Sequence, residues 1–140
     1  MIEKSHIRFA APADINFLRQ GSHIAAHILQ RKVEWQEIII AESNSRLNGS
    51  LRIEYLWSSV PYIALIYVLR EYQRQGVGKA MLHYLEAFLC DNGHSTLYSS
   101  SQVNEAEPQA WHRHMGFEEC GVIAGINKGI GEVFFRKSLL

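Results

Sequence analysis

The sequence lacks the features that mark disulfide-rich, metal-binding and nucleic-acid-binding proteins. Its 140 residues include two cysteines, and its 14 basic residues balance its 14 acidic residues. Two cysteines without metal-ligand spacing argue against a disulfide-rich scaffold and against a cysteine-bound metal. The seven histidines are scattered with no metal-ligand pattern. The even charge balance points to neither nucleic acid nor an anionic membrane surface as a partner. We therefore expect no metal site and no nucleic-acid partner.

Long apolar runs and targeting signals are lacking as well. No apolar run approaches the length of a membrane span, and Met1–His6 lacks the basic-then-apolar layout of a secretory signal. With 47% apolar and 20% charged residues, the chain has the composition of a globular protein. Its length suits one domain with a real core. We predict a single domain over residues 1–140, located in the cytoplasm, with Cys90 and Cys120 as reduced, packed thiols.

One stretch, residues 63–93, combines three signals that organise the rest. The apolar run Ile63–Leu69 predicts a buried strand, and a polar turn follows it over residues 70–75. After Gly76 the apolar residues recur at helical spacing, until Asn92-Gly93 supplies a left-handed stop. The stretch therefore predicts a strand, a Gly-rich turn and a long amphipathic helix.

The start of this helix has cations where acidic residues are expected. A helix N-terminus carries a positive partial charge, yet it is flanked here by Arg70, Arg74 and Lys79, with Glu71 as the only acid nearby. Each cation costs about 0.3–1 kcal/mol at an empty helix end. The conflict disappears if an anion binds, since glycines let successive N–H groups converge on phosphate oxygens. An ordinary turn with solvated cations explains the same residues equally well.

The remaining elements follow from alternation, helical spacing and turn residues. Asp14 and Ser22 are expected to cap two short helices near the N-terminus, and a hairpin is expected across Ser43–Gly49. The predicted strands are 5–10, 37–42, 50–57, 95–103, 117–126 and 132–139, with a helix over 104–115. This order predicts a layered α/β domain.

The Gly-rich turn resembles a signature of the GNAT superfamily of acyl-CoA-dependent N-acetyltransferases. Gln73-Arg-Gln-Gly76-Val-Gly78 is similar to the family pattern Gln/Arg-x-x-Gly-x-Gly/Ala. The similarity extends upstream to Val68–Tyr72, where Arg70 replaces a customary proline. By contrast, Gly78-Lys79-Ala80 lacks the hydroxyl residue that a Walker loop requires.

A second segment strengthens the resemblance. Asn104 precedes a helix that ends in Trp111-His-Arg-His-Met-Gly116-Phe117, which is similar to the family pattern of Asn, a helix, and Leu-Tyr-x-x-x-Gly-Phe. Trp111 takes the Leu position and His112 the Tyr position, with one extra residue after Asn104. The predicted element order is also that of the family, so the resemblance covers nearly the whole chain.

The resemblance implies a fold and a co-substrate. The fold is α/β and three-layered, with a central mixed, mostly antiparallel sheet flanked by helices, and the co-substrate is acetyl-CoA. The backbone of strand residues 66–68 would pair with pantetheine, the N–H groups of residues 73–78 would hold the pyrophosphate with help from Arg74 and Lys79, and Asn104 would bind pantetheine. The implied acetyl-CoA contacts are Ile66, Tyr67, Val68, Gln73, Arg74, Gln75, Gly76, Val77, Gly78, Lys79, Asn104, Trp111 and Arg113.

Direct transfer to an amine leaves two proton tasks. An alkylamine with a pKa of about 10 must lose a proton, and a departing thiolate with a pKa near 8.5 benefits from gaining one. His112 is the candidate general acid by position, which requires a raised pKa or a relayed water. Glu54 is the candidate general base, with Tyr67 as second choice. A capping histidine and an ordinary surface carboxylate remain the alternatives for His112 and Glu54.

The function hypothesis is an acetyl-CoA-dependent N-acetyltransferase that acts on a small-molecule or amino-acid-like amine. One alternative is an acyl-CoA-binding sensor or interaction module without catalysis. Another is acetylation of a protein or peptide amine. Because sheets of this family often pair between subunits, a homodimer is possible. Nothing in the sequence selects the acceptor.

Overall fold

A seven-stranded mixed sheet with flanking helices forms the framework of the chain. The computed structural model describes residues 5–20 and 22–140. Two compact units are distinguished among these residues: the first comprises the described residues up to Ile53 together with Leu65–Phe88, and the second comprises Glu54–Ala64 together with Leu89–Leu140. Whether residues 1–140 act as a single domain stays a prediction.

The order of elements agrees with the sequence prediction. The strands are β1 His6–Phe9, β2 Ile38–Ser43, β3 Arg46–Leu56, β4 Val60–Val68, β5 Thr96–Gln102, β6 Glu118–Asn127 and β7 Ile130–Ser138. The helices are α1 Ile15–Leu18, α2 Ala26–Glu34, α3 Val77–Asp91 and α4 Ala106–His114, with 3₁₀ turns at Pro12–Asp14 and Arg70–Tyr72.

The sheet has the order β1-β2-β3-β4-β5-β7-β6. Antiparallel pairing joins β1 to β2, β2 to β3, β5 to β7 and β6 to β7. β4 and β5 run parallel and pair at Tyr62 and Tyr98. The predicted mixed, mostly antiparallel sheet with flanking helices is therefore confirmed.

In the first unit, helices cover both faces of the strands. On one face, Leu18, Leu29 and Val33 of α1 and α2 pack in one cluster with Ile38 and Ile40 of β2. On the other face, the ring of Phe9 meets the rings of Tyr84 and Phe88 of α3 edge-on, with centroids 5.4 and 4.8 Å apart. Burial of each large apolar side chain is worth about 1.5–3 kcal/mol, so these two layers hold the unit together.

The hairpin between β2 and β3 is tighter than the sequence predicted. Asn44 and Ser45 alone form its turn, both with positive φ (53° and 63°), as in the two-residue turns that match the strand twist. The prediction that the turn extends to Gly49 is wrong, since β3 begins at Arg46. β4 begins at Val60, three residues before the predicted start at Ile63, so Pro61 lies inside the strand.

Two predicted helix starts are displaced. α2 begins at Ala26 rather than after Ser22, although the Ser22 hydroxyl accepts the N–H of Ile24 (3.1 Å), as the hydroxyl of a capping serine would. α4 begins at Ala106, two residues after Asn104. Asp14 does stabilise the first helical turn, but its carboxylate accepts the N–H of Ala11 from within the turn (2.7 Å).

In the second unit, β5 alternates between a buried face and a half-buried face. Leu97, Ser99 and Ser101 are buried, together with Phe135 of the paired strand β7. The predicted strands 117–126 and 132–139 correspond to β6 and β7, which pair as a hairpin with a turn at Lys128-Gly129. Cys90 and Cys120 are free thiols, but the prediction that they are packed is wrong, since both are exposed.

Candidate functional site

The connection from β4 to α3 presents bare backbone at a helix start. Arg74 and Gly76 both have positive φ (62° and 84°), and a Cβ added to Gly76 would meet no atom within 4 Å among the described residues. The N–H of Ala80 donates to Gly76 O (2.9 Å). The N–H groups of Val77–Lys79 precede that bond, so they are donors for which a helix has no acceptor of its own. The open space beside Gly76 lets a ligand approach them.

Two glutamine side chains fix the shape of this turn. Gln73 Nε2 donates to Val68 O (3.1 Å), and Gln75 Nε2 donates to Glu71 O (3.0 Å). The turn is thus tied to the end of β4 and to the 3₁₀ turn that follows it. Because both glutamines donate to carbonyl oxygens, they do not occupy the backbone N–H groups at the start of α3, which can bind another partner.

The acid that the sequence places among the cations of the turn is paired with a residue of β3. Glu71 is bound by Arg46 at 3.3 Å, and both side chains are more than half exposed, so the pair itself contributes little stability. Arg70, Arg74 and Lys79 are exposed, and the first turn of α3 contains no acidic residue. The combination of dipole, N–H groups and cations suits a phosphate-bearing ligand.

Two residues of β3, Asn48 and Gly49, pack against the strand and the helix on either side of this turn. The sequence did not predict this role. A Cβ on Gly49 would lie 3.1 Å from Val77 Cγ1, 3.2 Å from Met81 Cε and 3.2 Å from Tyr67 O. Asn48 is fully buried, and its carbonyl accepts the N–H of Leu69 (2.8 Å). Asn-Gly usually marks a turn, which is why this pair was assigned to one. In the structure the pair brings the strand against both β4 and α3.

The residues predicted to pair with pantetheine lie at the end of β4. Ile66, Tyr67 and Val68 are its last three residues, and all are half-buried. The ring of Tyr67 packs against Phe17, with centroids 6.2 Å apart. The expected contacts of this segment are backbone contacts, and no contact in the structure tests the second-choice base role of Tyr67.

His112 is buried in the second unit with both ring nitrogens occupied. Nδ1 lies 2.7 Å from Pro108 O and Nε2 lies 2.7 Å from Ser99 Oγ. Because a carbonyl can only accept, Nδ1 carries the proton and Nε2 accepts the Ser99 hydroxyl. The ring stacks on Phe135, with centroids 4.6 Å apart and planes 4° apart.

This environment sets the charge of His112. Burial lowers the pKa of the ring and the charge of Arg113 lowers it further, although the bond to Pro108 O opposes them. The imidazole is therefore neutral at neutral pH. The raised pKa that direct proton donation requires is not present, so the general-acid role stays a prediction that depends on a relayed water.

The other predicted residues of the second unit surround α4. Asn104 is exposed in the turn before the helix, and Trp111 is half-buried with its ring 5.3 Å from that of His112. Arg113 is exposed and lies 3.7 Å from Glu119. Asn104 and Arg113 thus have solvent access for a ligand.

A chain of hydrogen bonds runs across the half-buried face of the second unit, and the sequence did not predict it. Tyr62 of β4 is hydrogen-bonded to Ser100 of β5, and Ser100 Oγ donates to Glu132 Oε2 of β7 (2.7 Å). The ring of Tyr62 stacks on Phe134, with centroids 5.8 Å apart. Burial raises the pKa of Tyr62, the bond to Ser100 opposes this, and the charges of Glu132 and Glu54 raise it further. The phenol is therefore held in its protonated form. Glu54 is half-buried.

A cleft of about 580 Å³ opens on the same face. Aromatic, hydroxyl and apolar side chains line it, among them Trp57, Val60, His94, Tyr98, Ile123 and Phe134. Phe134 belongs both to the cleft and to the stack with Tyr62. The cleft therefore adjoins the hydrogen-bond chain.

Metal and membrane features can be stated for residues 5–20 and 22–140. Within these ranges there is no group of three or more His, Cys, Asp or Glu residues that could hold a metal ion. Nor does any helix in them have the length and apolar character needed to cross a membrane.

The sequence is similar to two curated acetyltransferases. It is 39% identical over 62 residues to an aminoglycoside N(6')-acetyltransferase type 1 of Stenotrophomonas maltophilia, covering 44% of this chain and 40% of that protein. It is 29% identical over 89 residues to the aminoglycoside N(6')-acetyltransferase type 1 of Acinetobacter genomosp. 13, covering 61% of each. The matches thus span less than two thirds of either relative.

Solved structures share the fold at low sequence identity. The ribosomal-protein-S18-alanine N-acetyltransferase of Escherichia coli superposes with a TM-score of 0.79 at 18% identity, covering 97% of this chain and 94% of that one. The yncA protein of Salmonella typhimurium, solved with its cofactor acetyl-CoA, gives 0.78 at 15% identity, covering 98% and 95%. Residues 34–119, more than half of the chain, match the family described as the acetyltransferase (GNAT) domain. The chain belongs to the GNAT acetyltransferase family.

Proposed function

We propose that the protein is an acetyl-CoA-dependent N-acetyltransferase that moves an acetyl group directly to the amine of a small molecule. The observation that carries the proposal is the start of α3, where bare N–H groups, Gly76 and exposed cations meet without an acidic residue in the first turn. A diphosphate supplies the negative charge that this arrangement lacks. Membership of the GNAT family and the acetyl-CoA bound to yncA support the choice of ligand.

Each predicted acetyl-CoA contact has a role in this proposal. The N–H groups of residues 73–78, of which that of Gln73 also donates to Arg70 O (3.3 Å), bind the diphosphate with Arg74 and Lys79. Backbone groups of residues 66–68 pair with pantetheine, to which Asn104 also donates. Trp111 and Arg113 flank the thioester and the adenosine side. These roles come from the family resemblance and are consistent with the exposure of Asn104 and Arg113.

Acetyl-CoA supplies the activated acetyl group, and the chain supplies alignment and proton handling. Orientation of two bound reactants lowers a barrier by up to roughly 7–11 kcal/mol. The N–H of Val68 is the proposed donor to the oxyanion that forms on the acetyl carbonyl. Glu54, Tyr67 and His112 remain the proposed proton-transfer residues, with His112 acting through water because its ring is neutral.

A small-molecule amine is the acceptor class that the relatives favour. Both curated relatives are named for aminoglycoside acetylation, which supports a polyamine-like acceptor here. An amine on a protein or peptide is the second candidate, since the S18-alanine enzyme shares the fold. An acyl-CoA sensor is the third. A homodimer and a cytoplasmic location stay predictions, and light scattering of the purified protein tests the first of these.

The binding test compares Gly76, which directly precedes α3, with Gly93, which lies just after its end. Gly76 and Gly93 both have a φ of 84°, and a Cβ on either would meet nothing within 4 Å among the described residues. Alanine at either position therefore costs a similar strain, about 1 kcal/mol. By calorimetry with acetyl-CoA at modest ionic strength, Gly76→Ala should weaken binding at least tenfold and Gly93→Ala should not. Equal affinities would refute the proposed cradle.

The activity test follows thiol release from acetyl-CoA with three acceptors: the aminoglycoside kanamycin, spermidine and a peptide that begins with alanine. Release with either small amine supports the proposal, and release with the peptide alone transfers it to the second candidate. Acetyl-CoA binding without release in any of them identifies a sensor.

A further inference from the structure

We propose that Tyr62, Ser100 and Glu132 form a proton relay that takes the proton of the acceptor amine. The inference rests on the proposed function, and it transfers the deprotonation assigned there to Glu54 to residues that neither the sequence nor the family relationship selected; Glu54 then acts on Tyr62 through its charge. Three strands contribute one residue each, since Tyr62 lies on β4, Ser100 on β5 and Glu132 on β7. All three are half-buried, so the chain begins within reach of a ligand and ends in the protein.

The direction of the relay follows from its donors. A serine hydroxyl has one hydrogen, and Ser100 donates it to Glu132 Oε2 at 2.7 Å. Ser100 Oγ must therefore accept the hydrogen of the Tyr62 hydroxyl. This leaves the lone pairs of the Tyr62 oxygen as the acceptor at the outer end of the chain. Every hydrogen points toward the carboxylate, as a relay that moves a proton inward requires.

The inner end of the relay can receive a proton. Glu132 Oε1 is buried, and it has no hydrogen-bond partner among the described residues. Among the described residues, Oε2 accepts one hydrogen bond, from Ser100. Buried carboxylate oxygens are usually hydrogen-bonded, so Oε1 has an unused lone pair at the inner end of the chain.

The surroundings of Tyr62 suit a cationic amine. Glu54 and Glu132 both act on the phenol electrostatically, and burial keeps it protonated at rest. The adjoining cleft is lined by Trp57, Tyr98 and Phe134 and has no lysine or arginine in its lining. An ammonium group is favoured by the two carboxylates and by aromatic faces, whereas an anionic acceptor is not.

An ammonium acceptor loses two protons in the proposed step. The first passes to the Tyr62 oxygen, the Tyr62 proton passes to Ser100, and the Ser100 proton passes to Glu132 as the carboxylic acid. The freed amine nitrogen then forms a bond to the acetyl carbon, and the carbon–sulfur bond breaks with its electron pair remaining on the sulfur of CoA. The second proton of the nitrogen passes to that thiolate, which gives the thiol of CoA and a neutral amide. The proton on Glu132 later returns along the same chain to water.

The relay is tested by steady-state kinetics on the full chain with acetyl-CoA and the small amine that releases thiol in the acceptor panel. The variants are Tyr62→Phe, Ser100→Ala and Glu132→Gln, which keep most of the volume of each side chain. Tyr84→Phe on α3 and Glu118→Gln on the exposed strand β6 are matched controls. We expect kcat to fall about 10²-fold in each relay variant, as is typical of a lost general base. In the controls kcat should stay within twofold, and the acetyl-CoA affinity should be unchanged in all five variants.

A double variant separates a relay from three independent contacts. Since residues that act as a unit are not additive, Tyr62→Phe combined with Glu132→Gln should lower kcat no more than the worse single variant. If Glu132→Gln fails to fold, Ser100→Ala takes its place in the double variant. An active protein in which the relay variants keep kcat within twofold, or in which the two losses multiply, overturns the relay alone. If no amine in the acceptor panel produces thiol release, the proposed function and the relay are overturned together.

Discussion

Substitution of Gly49 by alanine tests whether β3 holds the start of α3 in place. The added Cβ would lie 3.1 Å from Val77 Cγ1 and 3.2 Å from both Met81 Cε and Tyr67 O. Met81 is fully buried, so its side chain has little space to move away, and Tyr67 O belongs to the backbone. Neighbours on α3 and β4 must shift by a few tenths of an ångström to admit the methyl group.

The cost can be worked from these contacts. Overpacking of a core position costs about 1–3 kcal/mol, and replacing a strand glycine returns about 0.5–1 kcal/mol. We expect a net loss of about 1–2 kcal/mol, which for this chain length lowers the Tm by roughly 4–8 °C. Because a 1 Å misplacement of a binding group costs about 10²-fold, the shift of Val77 should weaken acetyl-CoA binding on the order of threefold to tenfold.

Gly131→Ala is the matched control, since Gly131 also lies in a strand. Its nearest neighbour would be Val103 Cγ1 at 3.3 Å, on an exposed side chain, and the next atom lies at 3.6 Å. The control should stay within about 0.5 kcal/mol of the unaltered protein, as is usual away from tight packing. Thermal unfolding and calorimetry measure both effects. A Gly49→Ala protein with unchanged Tm and unchanged acetyl-CoA affinity would refute the packing argument.

Three further predictions concern buried charged groups. Burial lowers the pKa of His112, so below about pH 6.5 the unfolded chain binds more protons than the folded chain. The free energy of unfolding should therefore fall as the pH falls below that value, by at most about 1.4 kcal/mol per pH unit. Urea unfolding of His112→Phe should show a smaller slope. Burial alone would raise the pKa of Asp14, but the hydrogen bonds from Arg8 outweigh burial and lower the pKa. The stability contributed by Asp14 is therefore lost as the pH falls below about 3.8. Asp14→Asn should cost about 2 kcal/mol at neutral pH and should reduce the loss of stability in acid. Lys32→Met breaks a 2.9 Å pair with Glu37 and should cost about 3 kcal/mol by urea unfolding, whereas Lys32→Met combined with Glu37→Leu should recover most of it.

The sequence could predict what short-range spacing determines. The strand and helix on either side of Gly76 follow from apolar periodicity, and the cations at the helix start conflict with a local rule, which is why we predict a ligand at that turn. Ser22 makes the bond to the N–H of Ile24 that a cap would make, yet the helix begins only at Ala26. Residue spacing does not reveal that later start.

Long-range packing explains the residues that the sequence could not select. Gly49 needs to be glycine because α3, some thirty residues later, lies against it. The bond from Tyr62 to Ser100 joins residues 38 apart, and the bond from Ser100 to Glu132 joins residues 32 apart. No local pattern predicts that these three side chains meet, since the register of three strands brings them together.

The two proton tasks of amine acetylation differ in how much help they need. At neutral pH, removing a proton from an amine with a pKa of about 10 costs roughly 4 kcal/mol, whereas leaving a thiolate with a pKa of about 8.5 unprotonated costs roughly 2 kcal/mol. The proposed relay gives the first task a directed route to a carboxylate, whereas the imidazole proposed for the second task is buried and neutral. After correction for stability, His112→Gln should therefore lower kcat less than Glu132→Gln. The reverse order, measured with the same amine, would assign the dominant proton transfer to the histidine.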